Sequence, residues 1–238
     1  MESIIETPAV VTPEDTLKME KEFRHAAPPG SQLPVMIRPF VSGESLLDAF
    51  ERLRPQIEDA VSNVGGVLLR GFDVPSMEAF QEFAANFGFP LLSYDFGSTP
   101  RTKVGGGVYT STEYPAHQHI PLHNEQAYTR EWAMKIWFHC MLASDEGGET
   151  PIADSRAVYR HMPEAIRESF RRGILYVRNY GDFDVPWQTV FNTENRADVE
   201  EYCRRTGIQW EWKDDDGLRT KQLCQGIERH PRTGEEVW

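Results

Sequence analysis

Cysteine is scarce in this chain: Cys140, Cys203 and Cys224 are the three in 238 residues. An odd count at wide spacings excludes a disulfide framework and a zinc ribbon, and it points to a reducing, cytoplasmic setting. Basic charge is also scarce. Twenty-five Lys and Arg stand against 37 Asp and Glu, for a formal net charge of -12. A field of that sign repels nucleic acid and anionic membrane surfaces, so neither is expected as a partner. No apolar run approaches the length of a membrane span, and residues 1–8 lack the basic and apolar regions of a signal peptide. The expectation is a soluble intracellular protein that acts on a small molecule, with nothing in the sequence to set its oligomeric state.

What is present divides the chain in two. Residues 1–34 are polar and carry five prolines without a sustained period, which reads as an arm, and residues 35–238 read as one domain. Between 45 and 61, Leu46, Leu47, Phe50, Leu53, Ile57 and Val61 recur at helical steps, and 66–71 is a short buried strand. Pro75 and Ser76 open a second helix that carries Met77, Phe80, Phe83, Ala84 and Phe87 on one side and ends at Gly88. After Pro90 the chain turns to short extended pieces. One spans 105–112, and the strongest spans 135–142, where Ile136, Phe138, Cys140 and Leu142 alternate with Lys135, Trp137, His139 and Met141; the first set is expected to face the core. Asp154 caps a helix expected to run to Arg172 and stop at Gly173, followed by a strand over 174–178. A helix over 197–205, a strand over 208–213 and a strand after the Thr233-Gly234 turn complete the pattern.

The chemistry concentrates in 120–127, Ile-Pro-Leu-His-Asn-Glu-Gln-Ala. In an extended chain, residues i and i+2 share a face, so His123 and Glu125 aim at one point while Asn124 faces away. An imidazole and a carboxylate so placed are half of a 2-His-1-carboxylate iron site. Spacing alone is weak evidence, because 7 histidines and 37 acids in 238 residues give about one such pair by chance.

Other groups are weaker. His117 and His119 share even separations with His123, but Pro121 interrupts the strand between them, so they read as loop or pocket-rim residues. Gly147-Gly148 is a turn, from which Thr150 emerges with a hydroxyl that could meet a ligand carboxylate. Gly105-Gly106-Gly107 lacks the Lys-Ser/Thr and helix of a phosphate loop. Cys140, on the expected core side of its strand, lacks the setting of a nucleophile. His230, beside Pro231 in a surface hairpin, is a poor metal ligand.

Taken together, Val67-Leu68-Leu69-Arg70-Gly71-Phe72, Pro100-Arg101-Thr102, residues 109–115, the His123-Asn124-Glu125 run, Gly147-Gly148-Glu149-Thr150-Pro151 and His230-Pro231-Arg232-Thr233-Gly234-Glu235 resemble one family in order and spacing. It is the TauD/TfdA family of Fe(II)- and 2-oxoglutarate-dependent dioxygenases, in its clavaminate-synthase-like, SyrP-like branch. The resemblance implies a mainly β fold with flanking helices, the double-stranded β-helix or jelly roll. It implies that His123 and Glu125 are catalytic ligands of Fe(II), that Thr150 helps hold 2-oxoglutarate, and that Arg101, Thr112 and Gln118 border the primary substrate.

The implied reaction uses Fe(II), O2 and 2-oxoglutarate, releases succinate and CO2, and hydroxylates or desaturates a small amino-acid-like or carboxylate substrate. Halogenating relatives carry a small residue in place of the carboxylate, so Glu125 argues against halogenation. The family's second iron histidine and its 2-oxoglutarate arginine come after the segment matched by 230–238, and nothing here supplies them. A jelly roll incomplete at its C-terminus, with exposed sheet edges and weak turnover, is therefore expected. Two other readings stay open: a degenerate, non-catalytic jelly-roll domain that binds a small acid or a protein partner, and a different metal enzyme built on His117 and His119.

Overall fold

The computed structural model describes residues 32–92, 102–111, 119–181, 185–214 and 216–238. Of the arm expected over 1–34, all but 32–34 lies outside them. Contacts divide the chain into two compact units, Met1–Pro90 and Leu91–Trp238.

In the first unit, strand β1 (Val35–Ile37) pairs in parallel with β2 (Val67–Leu69), and helix α1 (Phe50–Asn63) lies between them in sequence. A parallel pair requires such a crossover. The helical period sets its buried face: Phe50, Leu53, Ile57 and Ala60 are buried, and Pro55, past the first turn, leaves the Glu51 carbonyl without its i+4 N–H donor. Helix α2 (Met77–Ala85) starts as read from the sequence, with the Ser76 hydroxyl accepting from the Ala79 N–H. Phe83 and Phe87 meet Phe50 edge-on at centroid distances of 5.7 and 5.2 Å, which closes this unit's core.

The second unit begins with a hairpin, β3 (Lys103–Gly105) and β4 (Val108–Tyr109), turned by Gly106 and Gly107. Its main sheet has three antiparallel strands. These are β5 (Ile174–Tyr180), β6 (Gln209–Trp212) and β7 (Leu218–Cys224), with β7 in the centre. Helices α5 (Trp187–Phe191) and α6 (Arg196–Thr206) supply Trp187, Val190, Phe191, Val199 and Cys203 to a core shared with Tyr180 and Leu218. Burial pushes the Cys203 thiol up to about 11, with the Glu200 charge adding to it, so this cysteine is an inert packing group.

Two expectations are corrected here. The single helix from Asp154 to Arg172 is two: α3 (Ser155–His161), with Asp154 accepting from the Arg156 N–H, and α4 (Glu164–Phe170). Pro163 cannot donate and forces Met162 out of the helical region, to ψ 132°. The expected strand over 135–142 carries no regular secondary structure and pairs with no strand among the described residues. Its alternation survives over 135–140 with the opposite phase, and Met141, expected with the second set, is 60% exposed. Ile136, Phe138 and Leu142 are 50%, 70% and 91% exposed, Cys140 is exposed, and Lys135, Trp137 and His139 are half-buried. A period of two fixes which residues share a face, whereas only a covering layer decides which face is buried.

The last hairpin, β8 (Glu228–Arg229) with β9 (Glu236–Val237), is clamped to α3 and α4 by charge. Tyr159 donates to Glu236, Arg171 donates to the other Glu236 oxygen at 2.8 Å, and Arg156 joins Asp154 at 3.0 Å to Glu235 at 3.2 Å. The Tyr159 and Arg171 bonds hold the Glu236 carboxyl below the usual range, and the Arg156 bond does the same for Glu235. Both carboxyls are solvated, so the effect on stability is small and its sign is what matters. A lowered folded-state pKa contributes stability that is full above the ordinary carboxylate value and is lost as pH falls through the lowered one. Amide exchange at His230 and Gly234 should therefore accelerate as pH falls below about 4, relative to amides of β7. Equal protection of the hairpin at low and neutral pH would contradict the clamp.

Candidate metal centre

Residues 119–124 carry no regular secondary structure and 125–128, Glu125 included, form a turn, so the His-Asn-Glu run lies on an irregular segment of the second unit. Its backbone brings the two donors together. His123 Nε2 lies 3.7 Å from Glu125 Oε2, and Gln126, in the left-handed region at φ 55°, turns the chain away directly afterwards. His123 Nδ1 is 2.8 Å from the Pro121 carbonyl. With Nδ1–H donating there, Nε2 carries the lone pair on the Glu125 side, which is how metal-bound imidazoles are commonly fixed.

Two donors about 2.1 Å from one metal and about 90° apart lie about 3.0 Å from each other, so the pair closes on a cation with a shift of about 0.7 Å. The donor set, one imidazole and one carboxylate, suits Fe(II). Side-chain exposures of 57% and 26% leave both donors in contact with water, where an incoming cation and its cosubstrates can reach them.

The other expected site residues within the described part are placed as follows. Thr150 lies in an exposed stretch, 140–153, that leads into α3. Gly147 and Gly148, at φ 70° and 83°, make the turn before it, and a Cβ on Gly148 would come within 2.7 Å of the Ser144 hydroxyl. Arg101, Thr112, His117 and Gln118 lie outside the described residues. His119 is exposed, and among the described residues no group of three or more His, Cys, Asp or Glu is placed to share a metal. The His230 ring is used differently: its Nδ1 accepts from the N–H groups of Arg232 and Thr233 at 3.3 and 3.2 Å and caps the hairpin turn.

Sequence reasoning missed what holds the segment. Asn124 Nδ2 donates to the Trp238 carbonyl at 3.0 Å, and Gln225 Nε2 donates to the Thr129 carbonyl at 3.1 Å. The sequence signal for it was the position of Asn124 between the two candidate donors.

Residues 32–238 match the family model described as Taurine catabolism dioxygenase TauD, TfdA family. Two relatives extend the comparison. The chain is 39% identical over 216 residues to the dapdiamide synthesis protein DdaC of Enterobacter agglomerans, covering 85% of this chain and 65% of the relative. It is 34% identical over 205 residues to the clavaminate synthase-like protein At3g21360 of Arabidopsis thaliana, covering 82% of this chain and 61% of that protein. The chain thus spans less than two thirds of the length of either relative. No helix among the described residues is long and apolar enough to cross a membrane.

Proposed function

This chain belongs to the TauD/TfdA dioxygenase family, and on that footing we propose that it is an Fe(II)- and 2-oxoglutarate-dependent oxygenase whose iron is held by His123 and Glu125. The observation that carries this is the 3.7 Å approach of His123 Nε2 to Glu125 Oε2, with Nδ1 already committed to the Pro121 carbonyl. The fold proposed for residues 35–238 is the jelly roll of the family, preceded by an arm over 1–34. Among the described residues the strands form separate two- and three-stranded sheets without a closed barrel.

Fe(II) with 2-oxoglutarate and O2 supplies, when bound, an oxidation that releases succinate and CO2 and removes hydrogen from an unactivated C–H bond. The protein's residues do the rest. His123 and Glu125 fix the metal's position, and the Pro121 carbonyl keeps the imidazole in the tautomer that binds through Nε2. Glu125, a carboxylate where a halogenating enzyme would carry a small residue, favours hydroxylation or desaturation. Thr150 is proposed to hold a carboxylate of 2-oxoglutarate, and Arg101, Thr112 and Gln118 to border the primary substrate. A small amino-acid-like or carboxylate substrate in the cytoplasm completes the proposal, and the dapdiamide synthesis for which one relative is named supports small-molecule chemistry.

The test is an incubation with Fe(II), ascorbate, O2 and 2-oxoglutarate against a panel of amino acids and small carboxylic acids. Succinate that rises with one of them is expected, at a low rate because two protein donors are placed toward the metal among the described residues. A folded protein that releases no succinate with any of them, yet binds 2-oxoglutarate, would instead be a non-catalytic acid-binding domain.

A further inference from the structure

The two metal donors sit on a segment that belongs to no strand, so their juxtaposition needs another source of rigidity. Asn124 stands between them in sequence, and its side chain goes elsewhere: His123 faces Glu125, while Asn124 reaches the last residues described. There it donates to the carbonyl of Trp238, 114 residues away, at 3.0 Å. Trp238 is itself well anchored. Its ring meets Phe170 of α4 edge-on at 5.4 Å and 84°, and its N–H reaches the Ser155 carbonyl at the start of α3 at 3.4 Å. Glu236, two residues earlier, is held by Tyr159 and Arg171. Beyond the turn that follows Glu125, the Thr129 carbonyl accepts from Gln225 at 3.1 Å.

We propose that Asn124 is a positioning residue: its hydrogen bond to the Trp238 main chain fixes the backbone between the two donors, so that His123 and Glu125 stay turned to the same side. The proposal rests on the metal reading of that pair. A backbone free to rotate at Asn124 would let the two side chains separate, and the entropy of bringing them back would be charged to metal binding. Anchored to Trp238, the pair is organised before the metal arrives. The last hairpin and helices α3 and α4 thereby become the support of the centre.

The test is titration of the whole chain with Co(II), whose visible absorption reports donor number and geometry without turnover. Asn124→Ala and Asn124→Leu are expected to weaken Co(II) binding about tenfold, as loss of a supporting contact around a metal does. The metal-free unfolding midpoint should move by no more than about 2 °C, because the lost bond is exposed. Asn124→Gln, which keeps the carboxamide, should recover most of the affinity. Trp238→Ala should weaken binding as well, and the double variant with Asn124→Ala should lose no more than the larger single loss.

Wild-type affinity in both Asn124→Ala and Asn124→Leu, while His123→Ala abolishes the Co(II) spectrum, would overturn the positioning role and leave the metal site standing. Equal losses in Asn124→Gln and Asn124→Ala, or additive losses in the double variant, would also overturn it. An unchanged spectrum in His123→Ala would remove the metal site and this role with it.

Discussion

Fe(II) affinity should fall by at least about 100-fold in His123→Ala, because the substitution leaves the half-buried Glu125 without the imidazole that faces it among the described residues. The loss should be read against His119→Ala, whose imidazole is exposed and shares no three-donor cluster among the described residues, and which should bind as the parent does. Glu125→Gln tests the other donor, since a carboxamide keeps the size and loses the charge that attracts a divalent ion. Equilibrium dialysis under anaerobic conditions measures all three. An effect confined to His119→Ala would move the metal to the other histidines.

The second large effect concerns the frame of the same unit. Gly173 ends the α4 region at φ 97°, with its N–H on the Phe170 carbonyl at 2.9 Å. A Cβ there would come within 2.4 Å of the Cys224 carbonyl oxygen, the end of the central strand β7. Both the left-handed backbone and a clash with main chain oppose any side chain, so Gly173→Ala should cost about 3 kcal/mol. In a chain of this length that is a fall of about 6 to 12 °C in the unfolding midpoint. Gly234→Ala is the control: its φ is also positive, at 73°, but nothing lies within 4 Å of the added carbon, so only the backbone cost of about 1 kcal/mol remains. Thermal denaturation followed by circular dichroism separates the two. Equal shifts would mean that the approach to Cys224 contributes nothing.

The features written locally in the sequence were the ones it revealed. Ser76 and Asp154 announce their helices because a capping side chain acts within three residues. Gly88 and Gly173 mark helix ends because only a left-handed residue closes them so readily. His123 and Glu125 do stand 3.7 Å apart, but on a segment without a strand and with Glu125 in a turn, so the period of two that suggested the pair is not what brings them together. Strand β7 escaped notice although it is the centre of its sheet. Its buried face carries Thr220 and Gln222 beside Leu218 and Cys224, so polar residues mask the alternation. Residues 135–142 show the complementary failure. Their alternation was read rightly, but which side is covered depends on neighbours that no local pattern records.

The Asn124 contact belongs to the same class, since a bond spanning 114 residues has no local trace. Thr150 and the substrate-facing residues stay with the family resemblance and await their own measurements.

The most direct test of the central claim is anaerobic calorimetric titration of 2-oxoglutarate into the chain with and without Fe(II), repeated in His123→Ala and Glu125→Ala. The account predicts binding that requires the metal and disappears in both variants. Binding that is equal without Fe(II), or that survives loss of either side chain, would contradict an iron centre at His123 and Glu125.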